Sequence, residues 1–280
     1  DLSRNRLATP MVNAQWIYSN SSVQILYIPK PAFNILPKTG SDFNSFALPA
    51  VYSGYTLLIN REPENPPNKG EFGIRLTKQF GSLDLSAFYF NYYDRMPVFR
   101  IVAVTNPFAA SAYADYRPLQ TIGTTLTSDL NGYLVRSEIL NHFSREMNTT
   151  DGLNLTTNKT NELIYVFGLD LPPLNKWQVG FQFSESRINN ANWAAREATQ
   201  SLASSRIART FNGDVAIEAL MSYFTSDASN LLQAKVTLPL SSQFELSLGV
   251  DKFDGRATTE LGKFKNASRA WILFKGFVKK

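Results

Sequence analysis

The only histidine of this sequence stands two residues before a serine, in the run "NHFS". On an extended strand, His142 and Ser144 would share one face. A serine hydroxyl becomes a nucleophile when a base lies within hydrogen-bond reach and a third group orients that base. Asn161 is a candidate for the third group, so the pattern raises the hypothesis of hydrolysis by an activated serine.

The surroundings of this pair argue against catalysis. Its spacing resembles the His-x-Ser pair of the outer-membrane barrel phospholipases, but "REMN" replaces the Asn-Gly segment of that family. His142 also shares a side with Arg136 and Glu138, whereas a site that cleaves lipid should face the bilayer. We predict a non-enzyme with no catalytic residue, and we keep a lipid hydrolase that uses His142 and Ser144 as a third hypothesis.

Charged residues on the polar sides of alternating segments are better candidates for function. Such charges would line a water-filled lumen and tune selectivity through the local field and the pore width. An equally open alternative is a structural salt-bridge network that fills the lumen. The predicted pore-lining residues are Arg75, Arg136, Glu138, Lys235, Glu245 and Asp251.

Residues 94–119 form a connection that is too long to be a mere turn. Its apolar run is flanked by Arg95, Arg100 and Arg117. The pattern suits a loop that folds inward as a constriction or, alternatively, an ordered extracellular cap. A second stretch, 189–206, is rich in Ala, Arg, Glu and Gln and would suit a short helix.

Composition narrows the class of protein. Charged residues make up 18%, compared with about 25% in typical soluble domains, and aromatic residues make up 13%. Lysine and arginine are scattered despite a net charge of +5, which argues against a nucleic-acid partner. With no Cys, one His and no glycine-rich phosphate loop, we predict no metal site and no cofactor.

Thirteen segments alternate apolar and polar residues, as strands with two different faces do. In "EFGIRLTKQF", Phe72 and Leu76 point to one side and Arg75 to the other. Tight turns alternate with longer connections, and Asn212-Gly213 is a strong hairpin signal. The segments are 10–18, 23–28, 71–80, 83–93, 120–128, 132–143, 162–171, 177–188, 204–211, 214–224, 231–239, 244–253 and 268–279.

This pattern predicts an all-β fold, an antiparallel transmembrane β-barrel of the bacterial outer membrane with short periplasmic turns and long extracellular loops. Lipid would wet the apolar face and water the polar face. Strands of about ten residues exceed the length of about five or six that is usual in soluble proteins. The aromatic residues near strand ends would form interfacial girdles; they are Trp16, Tyr18, Tyr92, Tyr93, Tyr133, Trp177, Tyr223, Phe253 and Trp271.

The number of predicted strands bears on the extent of the barrel. Thirteen is odd, whereas single-chain bacterial barrels have an even number of strands. The residues before Pro10 are too few for another strand. We therefore expect residues 1–280 to be a single β-barrel domain and the C-terminal part of a longer chain, whose barrel has about fourteen or more strands.

Two motifs near the start of the chain carry a family resemblance. Tyr27-Ile28-Pro29 is followed by "LPKTGSDF" at 36–43. These motifs resemble the Y-x-P and lPxxGSxF elements of a large family of proteobacterial outer-membrane proteins known as a domain of unknown function. The likeness continues through 71–99 and 115–139, in the expected order. It implies a barrel with a longer N-terminal region and a role in transporting or handling lipophilic compounds, and it supplies no catalytic residues.

These observations favour an outer-membrane porin-like channel or transporter for a small or lipophilic solute, with selectivity set by lumen charges and inward loops. The alternative is a structural barrel that sheathes or anchors a periplasmic or surface protein partner. Both hypotheses place the chain in the bacterial outer membrane, with outer-membrane lipid as a partner.

Overall fold

The computed structural model describes residues 9–33, 51–52, 55–60, 67–106, 109–149, 156–189 and 197–277. The strands are β1 Val12–Tyr18, β2 Ser21–Ile28, β3 Val51–Tyr52, β4 Tyr55–Asn60, β5 Glu71–Phe80, β6 Leu83–Tyr93, β7 Val98–Asn106, β8 Ala109–Asp115, β9 Pro118–Leu130, β10 Tyr133–Asn148, β11 Thr157–Asp170, β12 Trp177–Ile188, β13 Thr199–Thr210, β14 Ala216–Phe224, β15 Ser229–Ser241, β16 Phe244–Asp254 and β17 Arg269–Gly276. Short 3₁₀ turns span Asn212–Asp214 and Gly262–Ala267.

Thirteen of these strands form one sheet, and each corresponds to one of the predicted segments. The order is β1-β2-β5-β6-β9-β10-β11-β12-β13-β14-β15-β16-β17, so each strand pairs with the next main-sheet strand along the chain. The registers show antiparallel pairing, as in β15 against β16, where Lys235 lies opposite Gly249. Long strands in an antiparallel meander are typical of an outer-membrane β-barrel, so the predicted fold class is confirmed.

The contacts of the chain cluster into two compact units. Unit 1 takes the described residues up to Thr125, together with Ile139–Ile164 and Arg187–Ala198. Unit 2 takes Leu126–Glu138, Tyr165–Ser186 and the described residues from Thr199 onward. The prediction that residues 1–280 are one barrel domain within a longer chain stays a prediction.

Each unit shows the alternation that the sequence predicts. In unit 1, Leu76 is 52% exposed on the apolar face of β5, and Arg75 points to the other face. In unit 2, Val250 on β16 is 45% exposed, and its neighbour Asp251 is buried among polar partners on the other face. We call these two surfaces of each unit the apolar face and the polar face.

Turn chemistry explains where the hairpins reverse. At the β9–β10 turn, Asn131 and Gly132 both have positive φ, 55° and 87°, as a two-residue hairpin turn requires. The predicted β13–β14 hairpin is present, but its turn is longer than the expected Asn-Gly pair. Gly213 and Asp214 take positive φ within a 3₁₀ turn, and the N–H of Phe211 donates to the carbonyl of Val215 at 2.8 Å.

The strands β10 and β11 extend further than the apolar pattern predicts. Polar pairing continues the ladder, because the backbone N–H of Thr149 donates to the carbonyl of Thr156 and the two side-chain hydroxyls lie 2.7 Å apart. Ser144 interrupts β10 with a φ of 51°, and its N–H donates to Asn161 Oδ1 at 2.9 Å. This irregularity behaves as a β-bulge.

The long connection after β6 folds into a second sheet with order β3-β4-β8-β7. In this sheet β4 pairs with β8 in parallel, and β7 pairs with β8 antiparallel. The Asn148 side chain at the end of β10 donates to the carbonyl of Phe99 at 2.7 Å and accepts from its N–H at 2.9 Å. The β7–β8 hairpin is therefore fixed to the end of β10 that lies farthest from the β9–β10 turn.

Three of the nine predicted girdle residues do not lie on the apolar face. Trp271 covers Gly249 on the polar face, and a Cβ added to Gly249 would stand 2.2 Å from Cζ2 of the indole. Tyr92 accepts a hydrogen bond from Thr121 on the polar face, and Phe253 packs edge-on against Phe264. Glycine is needed opposite Trp271 because any side chain would occupy the place of the ring.

The predicted helix over 189–206 is wrong for its described C-terminal part. Residues from Thr199 onward belong to β13, which is paired with β14 from Leu202. Tertiary pairing overrides the local helix propensity here. Residues 190–196 lie outside the described residues. Among the described residues, no helix is long and apolar enough to span a membrane.

Candidate functional site

The polar face of unit 2 carries a cavity of about 410 Å³. Arg136 on β10 donates to Asp170 on β11 at 2.6 Å, and both side chains are about half exposed. This pair forms part of the wall. The polar lining residues are Arg136, Asp170, Gln178, Gln182, Ser204 and Arg206.

A second group of charges continues from the cavity onto the next strands of unit 2. Glu218 on β14 accepts from Arg206 at 2.9 Å and lies 3.3 Å from the Lys235 ammonium. The two cations share one carboxylate, so this group carries a net positive charge. All three side chains keep between a third and a half of their surface exposed.

The last three strands carry two more cross-strand pairs on the same face. Asp251 accepts from Gln233 at 2.8 Å and from Arg269 at 2.9 Å, and it is 6% exposed. Glu245 lies 3.2 Å from the Lys275 ammonium. Register explains both contacts, because Asp251 stands directly opposite Arg269 and Glu245 directly opposite Lys275.

Two of the predicted pore-lining residues have no oppositely charged partner among the described residues. Arg75 on β5 donates to the hydroxyls of Ser86 at 3.0 Å and Thr125 at 3.2 Å. Neutral hydroxyls leave its positive charge uncompensated. Glu138 lies on β10 two residues after Arg136, with no ion pair in the described part of the chain.

The polar face of unit 1 contains a buried charge cluster. Arg145 donates to Asp94 at 2.6 Å and also bonds Glu162, which is 1% exposed. A nearby pair joins Arg95 to Glu71 through two hydrogen bonds of 2.6 Å, and Glu71 is fully buried. Such bidentate contacts are short and directional, so they fix the side chains that make them.

The three arginines of the predicted constriction are all bonded to carboxylates of unit 1. Arg95 binds Glu71, Arg100 binds Asp115, and Arg117 lies 3.1 Å from Asp115 and 3.4 Å from Glu146. Burial raises the pKa of the neighbouring Tyr116, and the positive charge of Arg95 offsets part of that rise. An inward constriction and an extracellular cap both stay predictions.

Among the described residues, no hydrogen bond joins His142 to Ser144. The His142 Nδ1 lies 2.6 Å from the Thr121 hydroxyl, and the imidazole is buried. The positive φ of Ser144 turns the strand between the two residues. Asn161, the candidate orienting group, instead accepts from the Ser144 backbone N–H.

Sequence reasoning missed most of the partners of the predicted charges. Asp170, Arg206 and Glu218 sit on strands where alternation alone already places them on the polar face. Pairing each strand with the next would have brought Glu218 opposite Lys235. Arg145 and Glu162 gave no comparable signal, because the bulge at Ser144 changes which residues of β10 face them.

A long antiparallel meander with one apolar face and one charged polar face is typical of outer-membrane β-barrel proteins. Residues 2–258 match the family described as "Protein of unknown function (DUF1302)", and the chain belongs to that family. No curated protein matches the sequence. Among solved structures, the high-pH structure of Pseudomonas putida OprB is similar with a TM-score of 0.47 and 5% identity, over 95% of this chain and 70% of that chain.

Proposed function

We propose that this protein is a porin-like channel of the bacterial outer membrane, in which the polar face lines an aqueous passage for a small or lipophilic solute. The tight turns then face the periplasm and the long connections face outward. The observation that carries the proposal is the wall of the unit 2 cavity. Its charges are paired across strands and still half exposed, which suits a surface that stays in contact with water.

The opposite face of the same strands supports a lipid environment. Ile272 is 75% exposed and Phe274 is 59% exposed on β17. Water would penalise apolar surface of this extent by about 25 cal/mol for each Å² exposed. Further exposed members of the apolar faces are Trp16, Phe72, Leu76, Leu85, Phe181, Leu248 and Val250. Lipid is the solvent that removes this penalty.

Uncompensated charge on the polar faces favours anionic solutes. Arg75 bonds only neutral hydroxyls, and the Arg206–Glu218–Lys235 group has one more positive than negative charge. Glu138, which has no ion pair among the described residues, offsets one of these two positive charges and leaves one in excess. A cation in a narrow aqueous passage raises the local concentration of anions. Small anions, or lipophilic solutes with one acidic group, are the substrates that this lining suits best.

The polar face of unit 1 favours a second candidate, a structural barrel that holds a periplasmic or surface protein partner. Phe90 lies over Gly73 and Phe88 over Gly123, where a Cβ on either glycine would meet the ring within 2.6 Å. With the buried Arg145 cluster, these rings fill space that a wide channel would leave to water. A barrel filled in this way would conduct nothing by itself.

Conductance in a planar bilayer separates the two candidates. The full-length protein is inserted and single-channel current is measured in a salt gradient. A channel shows discrete steps, and its reversal potential indicates anion preference. A barrel that is folded, as judged by heat-modifiable migration on a gel, and shows no current would overturn the channel and favour the structural role.

A further inference from the structure

Arg209 lies on the apolar face of unit 2, at the end of β13 that leads into the β13–β14 turn. It stands directly opposite Ile217 on β14. Its guanidinium carbon lies 5.1 Å from the ring centroid of Trp177 and 4.6 Å from that of Phe211. Aromatic faces attract the guanidinium and hold its plane in place.

No carboxylate of the described residues neutralises this arginine. Its Nε is buried and has no hydrogen-bond partner, and no ion pair reaches the side chain within the described part of the chain. Arg206 and Arg209 are three residues apart on β13, so their side chains lie on opposite faces of the strand. Arg206 bonds Glu218 on the polar face, and Arg209 points away from that carboxylate. The positive charge therefore stands on an apolar surface without an internal counter-ion, an arrangement that is costly in a membrane.

A second cation, Lys176, lies where the β11–β12 turn approaches the β13–β14 turn. Lys176 directly precedes Trp177, and its Nζ reaches Asn212 Oδ1 at a long 3.4 Å. That contact spans from the β11–β12 turn to the β13–β14 turn. Lys176 adjoins Trp177 in sequence and Arg209 contacts its ring, so two cations lie close to this tryptophan.

We infer that Arg209 binds the phosphate group of a membrane phospholipid, with Trp177 and Phe211 holding the guanidinium and Lys176 adding charge. The inference rests on the membrane location in the proposed function. With Nε buried and the two rings beside the guanidinium, its terminal Nη groups are the donors that would bind two phosphate oxygens. Acyl chains would then extend along the exposed apolar surface of Ile207, which is two residues away on the same face.

Native mass spectrometry of the full chain in detergent tests this assignment. The protein is supplied with phosphatidylglycerol or with a diacylglycerol of the same acyl chains, which lacks the phosphate. Retention of phosphatidylglycerol should be about tenfold higher, as a charge-assisted hydrogen bond implies. Equal retention of the two lipids by the unaltered protein would overturn the inference without any variant.

Variants locate the contact. Arg209→Gln should lower phosphatidylglycerol retention to the diacylglycerol level, whereas Arg209→Lys should keep part of it. Arg206→Gln, on the other face of the same strand, is the matched control and should retain the lipid fully. Unchanged retention in Arg209→Gln, or an equal loss in both glutamine variants, would refute the site.

Excess inorganic phosphate distinguishes a lipid site from a site for free phosphate. A lipid site keeps its phosphatidylglycerol because the acyl chains contribute to binding, while displacement by inorganic phosphate would overturn the lipid assignment. Conductance is independent of this readout. If the protein retains phosphatidylglycerol but shows no current in the bilayer, only the proposed channel function is refuted. If it conducts but does not retain phosphatidylglycerol, only the proposed lipid site is refuted.

Discussion

Arg136 Nη2 donates to Asp170 Oδ2 at 2.6 Å across β10 and β11, and the two side chains remain 51% and 41% exposed. The pair presents one positive and one negative charge to the cavity of unit 2. Removing one partner leaves the other facing the solution. Charges of this kind are the ones that set ion selectivity in a passage.

Arg136→Ala should shift the proposed channel toward cations, and Asp170→Asn should shift it toward anions. An exposed ion pair is worth at most about 1 kcal/mol, so each permeability ratio should change by about two- to fivefold. Reversal potentials in a salt gradient measure both. Lys252→Ala removes a positive charge from the apolar face of β16 and should leave the ratio unchanged; a shift as large as that of Arg136→Ala would contradict the assignment.

Cysteine labelling tests the assignment of the two faces. Cysteines placed at Gln182 or Lys235 should react with a water-soluble thiol reagent in intact membranes, because these positions lie on the polar face. Cysteines at Phe181 or Val236, on the apolar face, should be protected by lipid. Residues 1–280 contain no cysteine, so this part of the protein gives no background labelling. The reverse pattern of labelling would refute the assignment.

Arg145→Met should be strongly destabilising. The change removes the cation that bonds both Asp94 and the buried Glu162, and breaking a buried ion pair in this way typically costs about 3–5 kcal/mol in the free energy of unfolding. Urea unfolding followed by tryptophan fluorescence measures the loss. Adding Asp94→Asn and Glu162→Gln should recover part of it.

Arg75→Met is the matched control for that measurement. Arg75 bonds two hydroxyls and no carboxylate among the described residues, so its loss should cost less than about 1 kcal/mol. If both methionine variants unfolded at the same urea concentration, the buried cluster would have no special role in stability.

Gly249→Ala should also be destabilising, because the new methyl group would meet the indole of Trp271 at 2.2 Å. Overpacking of this kind typically costs about 1–3 kcal/mol. Gly276→Ala is the control, since its Cβ would lie at an ordinary 3.4 Å from Phe244. Combining Gly249→Ala with Trp271→Leu should relieve the clash, and a purely additive loss in the urea midpoint would refute it.

Protonation of Asp227 should make the free energy of unfolding depend on pH in the acid range. Although burial raises the pKa of this carboxyl, hydrogen bonds from Ser229 and from the backbone N–H of Glu260 lower it overall, below its usual 3.8. A lowered pKa stabilises the folded chain above 3.8, and the gain is lost as the pH falls through the folded value.

The urea midpoints of the natural chain and of Asp227→Asn should therefore differ at neutral pH and converge only below pH 3.8. The difference should be small, at most about 1 kcal/mol, because the carboxyl is still partly exposed to water. A difference that stayed constant down to the acid range would show that the charge of Asp227 contributes nothing.

Alternation made most of the main sheet predictable. Each predicted hairpin depends on side chains of period two and on local turn residues such as Asn131 and Gly132, and both signals lie within a few residues of each other. The extensions of β10 and β11 were not predictable in this way, because hydroxyl pairs such as Thr149 and Thr156 continue the ladder where the apolar pattern has ended. The parallel pairing of β4 with β8 joins segments distant in sequence.

The sequence predicts which strand face carries the candidate site residues, but it does not predict which of those residues contact each other. Alternation placed Arg136, Lys235 and Asp251 with the polar side chains, as observed. It could not show that Trp271 lies over Gly249, because a tryptophan near a strand end has the same sequence signal on either face. Partners such as Asp170 depend on the register between strands, which a single strand does not encode.

The bulge at Ser144 divides β10 into two stretches that are out of phase. His142 and Arg145 are three residues apart, and both point to the polar face, which an uninterrupted strand forbids. Straightening β10 at Ser144 with no change in length would restore strict alternation and rotate Arg145 onto the apolar face. The chain would keep every amino acid of its buried charge cluster and lose the cluster, so the backbone conformation at Ser144 is as necessary to the cluster as the charged residues themselves.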